Sequence, residues 1–304
     1  MAESFPSTGP DLPSPTLSAR LRELAAYLAA PTAGHLTEEQ RALSLGIARR
    51  LVTTLAAELD VGIDVTALWD DWLAGGIPSA ERLAPACFAR GEEHRWRQQS
   101  AQSAPTVSPG TAETADGPPA AGESELSDTD RAFLALRIAD RRRFDALGNP
   151  AIAVADLDPD LLRALLLDIA AWWLARDKGD GNRAAALGDA VRTTGEAQQS
   201  ATGIDAEAKA YHAILIANGD LSAVAAGAIA RHDWTTLVAL AAAAGKRRYA
   251  DMALALITAE AAALPVLLAP LRLDSAALAP LEASLAMLPA RALAGDDAGS
   301  GATA

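Results

Sequence analysis

With 304 residues, half of them apolar and only 4% aromatic, the chain is long enough for one large or two ordinary domains, and its Ala- and Leu-rich composition favours helix over sheet. The single cysteine, Cys87, excludes an intrachain disulfide framework and points to a reducing compartment. The net charge of −13 lies mostly outside the helical regions, which hold nine basic against eleven acidic residues in 17–97 and seventeen against twenty in 126–292; no nucleic-acid partner is expected of so little clustered positive charge.

In chain order, residues 1–16 (Pro6, Pro10, Pro13 and Pro15 among Ser and Gly) read as a disordered tail with no leader-like pattern. A helix is expected over Leu17–Ala30. A second is opened by the capping-box pattern Thr37-Glu38-Glu39-Gln40, with Leu43, Ile47, Leu51 and Leu55 as its stripe. Asp64 caps a third, Val65–Ala74, and a fourth runs from Ser79 to Arg97, kinked or split at Pro85. Residues 98–125, rich in Ala, Ser, Pro, Thr and Gly, read as a disordered linker.

Beyond it, helices are expected near 127–146, 159–176, 182–199, 205–218, 221–231, 234–244, 247–263 and 274–288, and residues 293–304 form a disordered tail. The stretch Asp158–Arg176, capped by Asp158 with Pro159 behind it and apolar on most sides, is expected to be the helix around which the others pack. No segment reaches about 18 uncharged apolar residues. The nearest, Met252 to Leu271, is interrupted by Glu260, Pro265 and Pro270, so no transmembrane segment and a cytoplasmic location are expected.

Leu36-Thr37-Glu38-Glu39-Gln40-Arg41-Ala42 has an echo in Leu126-Ser127-Asp128-Thr129-Asp130-Arg131-Ala132, and both run on into apolar stripes; duplication and convergence on a common helix opening both account for it. These two segments resemble helix openings in an uncharacterised alphaproteobacterial family of helical, HEAT-like domains. The stretch 219–245 is similar to the paired-helix rhythm of that family's C-terminal part. The resemblance implies a fold and no activity.

Sites of chemistry are few. His94, in Glu92-Glu93-His94-Arg95-Trp96-Arg97, lacks a second ligand at metal spacing and reads as part of an amphipathic helix end with Arg95 and Arg97 beside its last carbonyls. Asp177 to Asn182 places glycines where a calcium loop needs oxygen ligands. Arg141-Arg142-Arg143 and Lys246-Arg247-Arg248 read as solvated clusters, and His212 and His232 as interface histidines. No Gly-x-Ser-x-Gly turn, P-loop or dinucleotide fingerprint occurs.

The expectation is therefore an all-α protein: a small N-terminal helical bundle (17–97) and a C-terminal HEAT-like or α-solenoid-like array (126–292). It is expected to act without cofactor or metal as a non-enzymatic interaction, scaffold or regulatory protein. Trp234, His232, Lys246, Arg247 and Arg248 are the candidate contacts to a protein partner. The competing expectation is an enzyme or small-molecule sensor with a pocket between helices near Trp172, Trp173 and Trp234.

Overall fold

The computed structural model describes residues 15–29, 36–60, 62–103, 126–176 and 181–288. Four helices come first: α1 (Pro15–Ala29), α2 (Glu38–Leu59), α3 (Val65–Gly75) and α4 (Ala80–Ser103). After residue 126 follow α5 (Asp128–Arg141), α6 (Pro159–Arg176), α7 (Gly181–Ser200), α8 (Ile204–Asn218), α9 (Leu221–Ala230), α10 (Trp234–Ala244), α11 (Tyr249–Thr258), the single turn α12 (Leu264–Leu267) and α13 (Ser275–Ala286). The fold is all-α; no strand occurs among the described residues beyond one isolated bridge, Phe144 to Pro150. Side-chain caps set the helix starts as the sequence indicates. Thr37 and Gln40 form the full capping box of α2, and Asp64, Ser127, Asp233 and Asp274 accept from first-turn amides of α3, α5, α10 and α13.

The buried side chains form two clusters. The first joins α1, α2, α3 and the first half of α4 to Leu161, Leu162, Leu165, Leu166 and Ile169 of α6. The second joins α5, α8, α9, α10, α11 and α13 around the end of α4, represented by Trp96. Helix α4 therefore belongs to both: Leu83, Ala84, Cys87 and Phe88 fill the first cluster, and Trp96 fills the second. Trp96 stacks on Trp234 with ring centroids 4.9 Å apart and donates its Nε1 hydrogen to Ser284 Oγ at 2.8 Å. Its partner is met because a buried indole N–H left unpaired is costly.

Several expectations change, and the helices expected over 127–146 and 247–263 end already at Arg141 and Thr258. Residues 98–103 are not linker but the last turn and a half of α4, held because Ser100 is buried in hydrogen-bonding contact with Ser284; residues 104–125 lie outside the described residues, as do 1–14 and 289–304. Helix α6 is a core helix, but Leu167 and Ala171 face solvent, and it completes the first cluster rather than organising the second. The helix packed on most sides is α4, which contacts α1, α2, α11 and α13.

Because Trp96 is fully buried in the second cluster, Trp96→Ala should cost about 3–5 kcal/mol in urea unfolding. Leu167→Ala, on the exposed side of α6, should change stability by less than about 0.5 kcal/mol.

Candidate functional site

The face of α4 that carries Leu83 and Cys87 into the first core continues as Arg90, Glu93 and Arg97, three charges at helical spacing. Arg90 and Glu93 are buried, and buried charges persist only when paired. Glu93 is met on all sides. Arg143 donates to it twice, Nη2 to Oε2 at 2.6 Å and Nη1 to Oε1 at 3.1 Å. Arg90 Nη1 lies 3.2 Å from Oε2, Arg97 Nη1 3.5 Å from Oε1, and the Tyr249 hydroxyl donates to Oε1 at 2.9 Å. Arg97 continues the network with two bonds to Asp140, at 2.8 and 2.9 Å, and Thr235 donates to the same carboxylate.

The electrostatics follow. Burial alone would raise the Glu93 carboxyl, but Arg143, Arg90 and Arg97 outweigh it and hold the group far below the usual carboxylate range. Burial opposes the Arg143 charge as well, yet Glu93 keeps it more firmly protonated than a free arginine. Arg90 is lowered to about 10 by burial and by Arg143, so it stays charged at neutral pH. Burial and Glu93 push the Tyr249 phenol up.

The loop between α5 and α6 is tied to this network through its backbone. Arg50 Nε donates to the Pro150 carbonyl at 2.8 Å, Arg90 Nε to that of Ala151 at 3.1 Å, and Arg90 Nη2 to that of Arg143 at 2.7 Å. The Phe144 ring lies against the guanidinium groups of Arg90 and Arg97, 4.4 and 5.1 Å from its centroid.

Beside the network opens a cleft of about 310 Å³, at the small end for ligand sites. The first turns of α6, α8 and α11 converge on it, and an aspartate caps each. Asp158 accepts from Leu161 N at 2.9 Å, Asp156 from Ile204 N at 2.7 Å, and Asp205 from Tyr249 N at 2.6 Å. The approach of Asp156 to α8 requires glycine at 203, where a Cβ would collide with the Asp156 carboxylate and stand 2.9 Å from the Ala155 carbonyl. Burial raises the Asp156 carboxyl against the opposing pull of Arg143, whose Nε is 3.8 Å from Oδ2. The polar lining of the cleft consists of arginine, aspartate and tyrosine side chains, which offer charges and hydrogen bonds.

The residues singled out from the sequence fall elsewhere or play other parts. Trp172 and Trp173 pack on the first cluster and Trp234 lies in the second, so the three do not share a pocket. Trp234 is buried between Trp96 and His232, whose ring stacks on it at 5.2 Å; it presents no face to a partner. Lys246 and Arg248 are exposed and Arg247 half-buried, around a depression of about 410 Å³ shared with Asp205 and Lys209. Arg248 pairs with Asp251 at 3.5 Å. Arg143, expected in a solvated triplet, is buried because Glu93 claims it, while Arg141 and Arg142 remain exposed. His94 is half-buried edge-on to Phe144, within α4 rather than at its end, because the helix runs on to Ser103; no group of metal-binding side chains occurs among the described residues. Asp177–Asp180 lie outside the described residues. Cys87 is buried and its thiol pushed up to about 12 by burial, so it is inert at neutral pH. No helix among the described residues is long and apolar enough to cross a membrane.

Arg90, Asp140, Asp156 and Tyr249 were not picked out from the sequence, and Glu93 and Arg143 only as part of a helix end and of a basic triplet. The one available signal was the continuation of an apolar helical stripe by charges at 90, 93 and 97, which a solvated face would also produce.

Comparison with known proteins returns no matching family profile, no matching curated protein and no matching solved structure.

Glu93→Gln strands the surrounding guanidinium groups and should cost about 3–5 kcal/mol in denaturant unfolding. A second expectation concerns pH. Burial, with Arg90 and Arg97 nearby, lowers His94 to about 4, below its value of about 6.5 in the unfolded chain. The unfolded chain therefore binds the proton first, so stability should fall as pH drops from about 6.5 to about 4. His94→Gln should flatten that slope in pH-dependent unfolding, leaving the part of the same sign that belongs to His212.

Proposed function

We propose that this chain is a non-enzymatic interaction protein, a scaffold or regulator of cytoplasmic type, whose α5–α8 face receives an acidic amphipathic helix of a partner protein. The observation that carries this reading is an apolar ridge left uncovered on one helix. Leu126 just ahead of α5 is 52% exposed, and Leu134 and Ile138, one turn apart, are 48% and 46% exposed. Helix α8 lies antiparallel beside α5: Asn218 donates to Thr129, and the Tyr211 ring meets the partly exposed Phe133 at 5.7 Å. Ile216 of α8 adds to the exposed apolar surface. At the other end of α5, Arg141 and Arg142 are exposed and make no ion pair among the described residues, which is why the partner helix is expected to be acidic.

This reading keeps the site on the C-terminal helices but moves it from Trp234 and His232 to α5. Lys246, Arg247 and Arg248 lie instead near Asp205 and Lys209, at the opposite end of α8 from Ile216. The HEAT-like pairing of short helices, and the resemblance to the alphaproteobacterial helical family, belong to the same proposal, since stacked helix pairs leave ridges and grooves of this kind.

Leu134→Glu combined with Ile138→Glu tests it. Both positions are exposed, so the thermal midpoint should stay close to that of the wild type. Proteins captured from a host lysate by the wild type should be lost by the variant. A synthetic acidic helix from such a protein should bind the variant at least tenfold more weakly, about 1.4 kcal/mol. Capture indifferent to the substitutions would remove the reading.

A further inference from the structure

The cleft at the convergence of α6, α8 and α11 is unused by the α5–α8 reading and stands on different observations. Two buried polar atoms among its lining residues make no hydrogen bond: Asp156 Oδ2 and Arg90 Nη1. Arg90 Nη1 has Glu93 Oε2 beside it at 3.2 Å, out of line for a hydrogen bond. Among the described residues Asp156 Oδ2 faces Arg143 Nε at 3.8 Å, beyond hydrogen-bond reach, and the Arg143 charge is already shared with Glu93 through two bonds. An acceptor in this position normally has a donor in front of it.

The fixed charges around the cleft are of both signs: four arginines and three aspartates in the lining, with Glu93 behind the floor and Asp251 beyond the rim. A ligand that itself carries both signs finds a counter-charge there for each. At the rim, Arg82 and Arg248 are half-exposed and held only by pairs to Asp158 and Asp251, pairs of the exposed kind that rearrange readily. Between rim and floor the wall is apolar, with Pro85, Ile152 and Ala250.

We propose that the cleft binds a small zwitterion of the free amino-acid type, with its ammonium donating to Asp156 Oδ2 and its carboxylate received by Arg82 and Arg248. The side chain lies against the apolar wall, and the volume of about 310 Å³ limits the ligand to roughly amino-acid size. Capping of α8 uses the other oxygen of Asp156, so the recognition atom and the structural atom of that residue are separate.

The test is calorimetric titration of the full chain with each common L-amino acid, with the corresponding 2-oxo acids, which lack the ammonium, and with the corresponding amines, which lack the carboxylate. At least one amino acid should bind with one-to-one stoichiometry, and its oxo-acid and amine analogues at least tenfold more weakly. Asp156→Asn keeps an acceptor for Ile204 N but offers an N–H₂ where the ammonium needs an acceptor; it should weaken binding at least tenfold with an unchanged circular dichroism spectrum. Arg82→Gln should weaken the amino acid more than the amine. If Asp156→Asn does not fold, the analogue series decides alone, because it uses the wild-type chain. Absence of binding by every amino acid at millimolar concentration, equal binding of the analogues, or full binding by a folded Asp156→Asn protein would each overturn the proposal.

Discussion

The carboxylate of Glu93 has to be neutralised at the place where α4 leaves one hydrophobic core and enters the other. Removing it from water costs several kcal/mol unless opposite charges and donors surround it. Those groups come from separate parts of the chain: Arg90 and Arg97 from α4 itself, Arg143 from the loop after α5, and Tyr249 from the first turn of α11. Any packing that displaced one of these elements would strand a charge inside the protein. The apolar contacts of α4 drive burial, but many arrangements of Ala and Leu side chains bury similar areas. The ion network distinguishes among them.

The requirement spreads through a closed circuit. Arg143 bridges Glu93 and the neighbourhood of Asp156. Asp156 fixes the start of α8, the first turn of α8 presents Asp205, and Asp205 fixes the start of α11. The first residue of α11 is Tyr249, whose hydroxyl returns to Glu93. Each helix is thereby positioned by the one before it, and the cleft lies among the groups so placed. By contrast, pairs such as Arg192 with Glu196, both largely exposed, contribute little to holding the fold.

Local signals in the sequence mark the helices well, because they act within a few residues. Thr37 and Asp64 are read correctly as caps, and most helix limits fall within a residue or two of those expected. The site is illegible for the opposite reason. Arg143 looks like its exposed neighbours Arg141 and Arg142 until Glu93, fifty residues away in sequence, is placed beside it. Residues 98–103 have linker-like composition, and the contact of Ser100 with Ser284 on α13, far away in sequence, is invisible from that composition. Trp234 shows the same limit: a tryptophan after a helix break reads equally well as a partner anchor or as core, and Trp96 decides it.

The loop between α5 and α6 is gripped through three main-chain oxygens, at Arg143, Pro150 and Ala151, by guanidinium groups from Arg50 and Arg90. Every amino acid presents the same carbonyl, so this grip is indifferent to which side chains the loop carries at 150 and 151. Tolerance to change should therefore be lopsided. Positions 150 and 151 can change while the loop keeps these anchors, whereas the two arginines that hold it, on other helices and far away in the chain, have no substitute with the same reach and fork of donors. The path of this part of the cleft wall is thus encoded partly outside the loop that forms it.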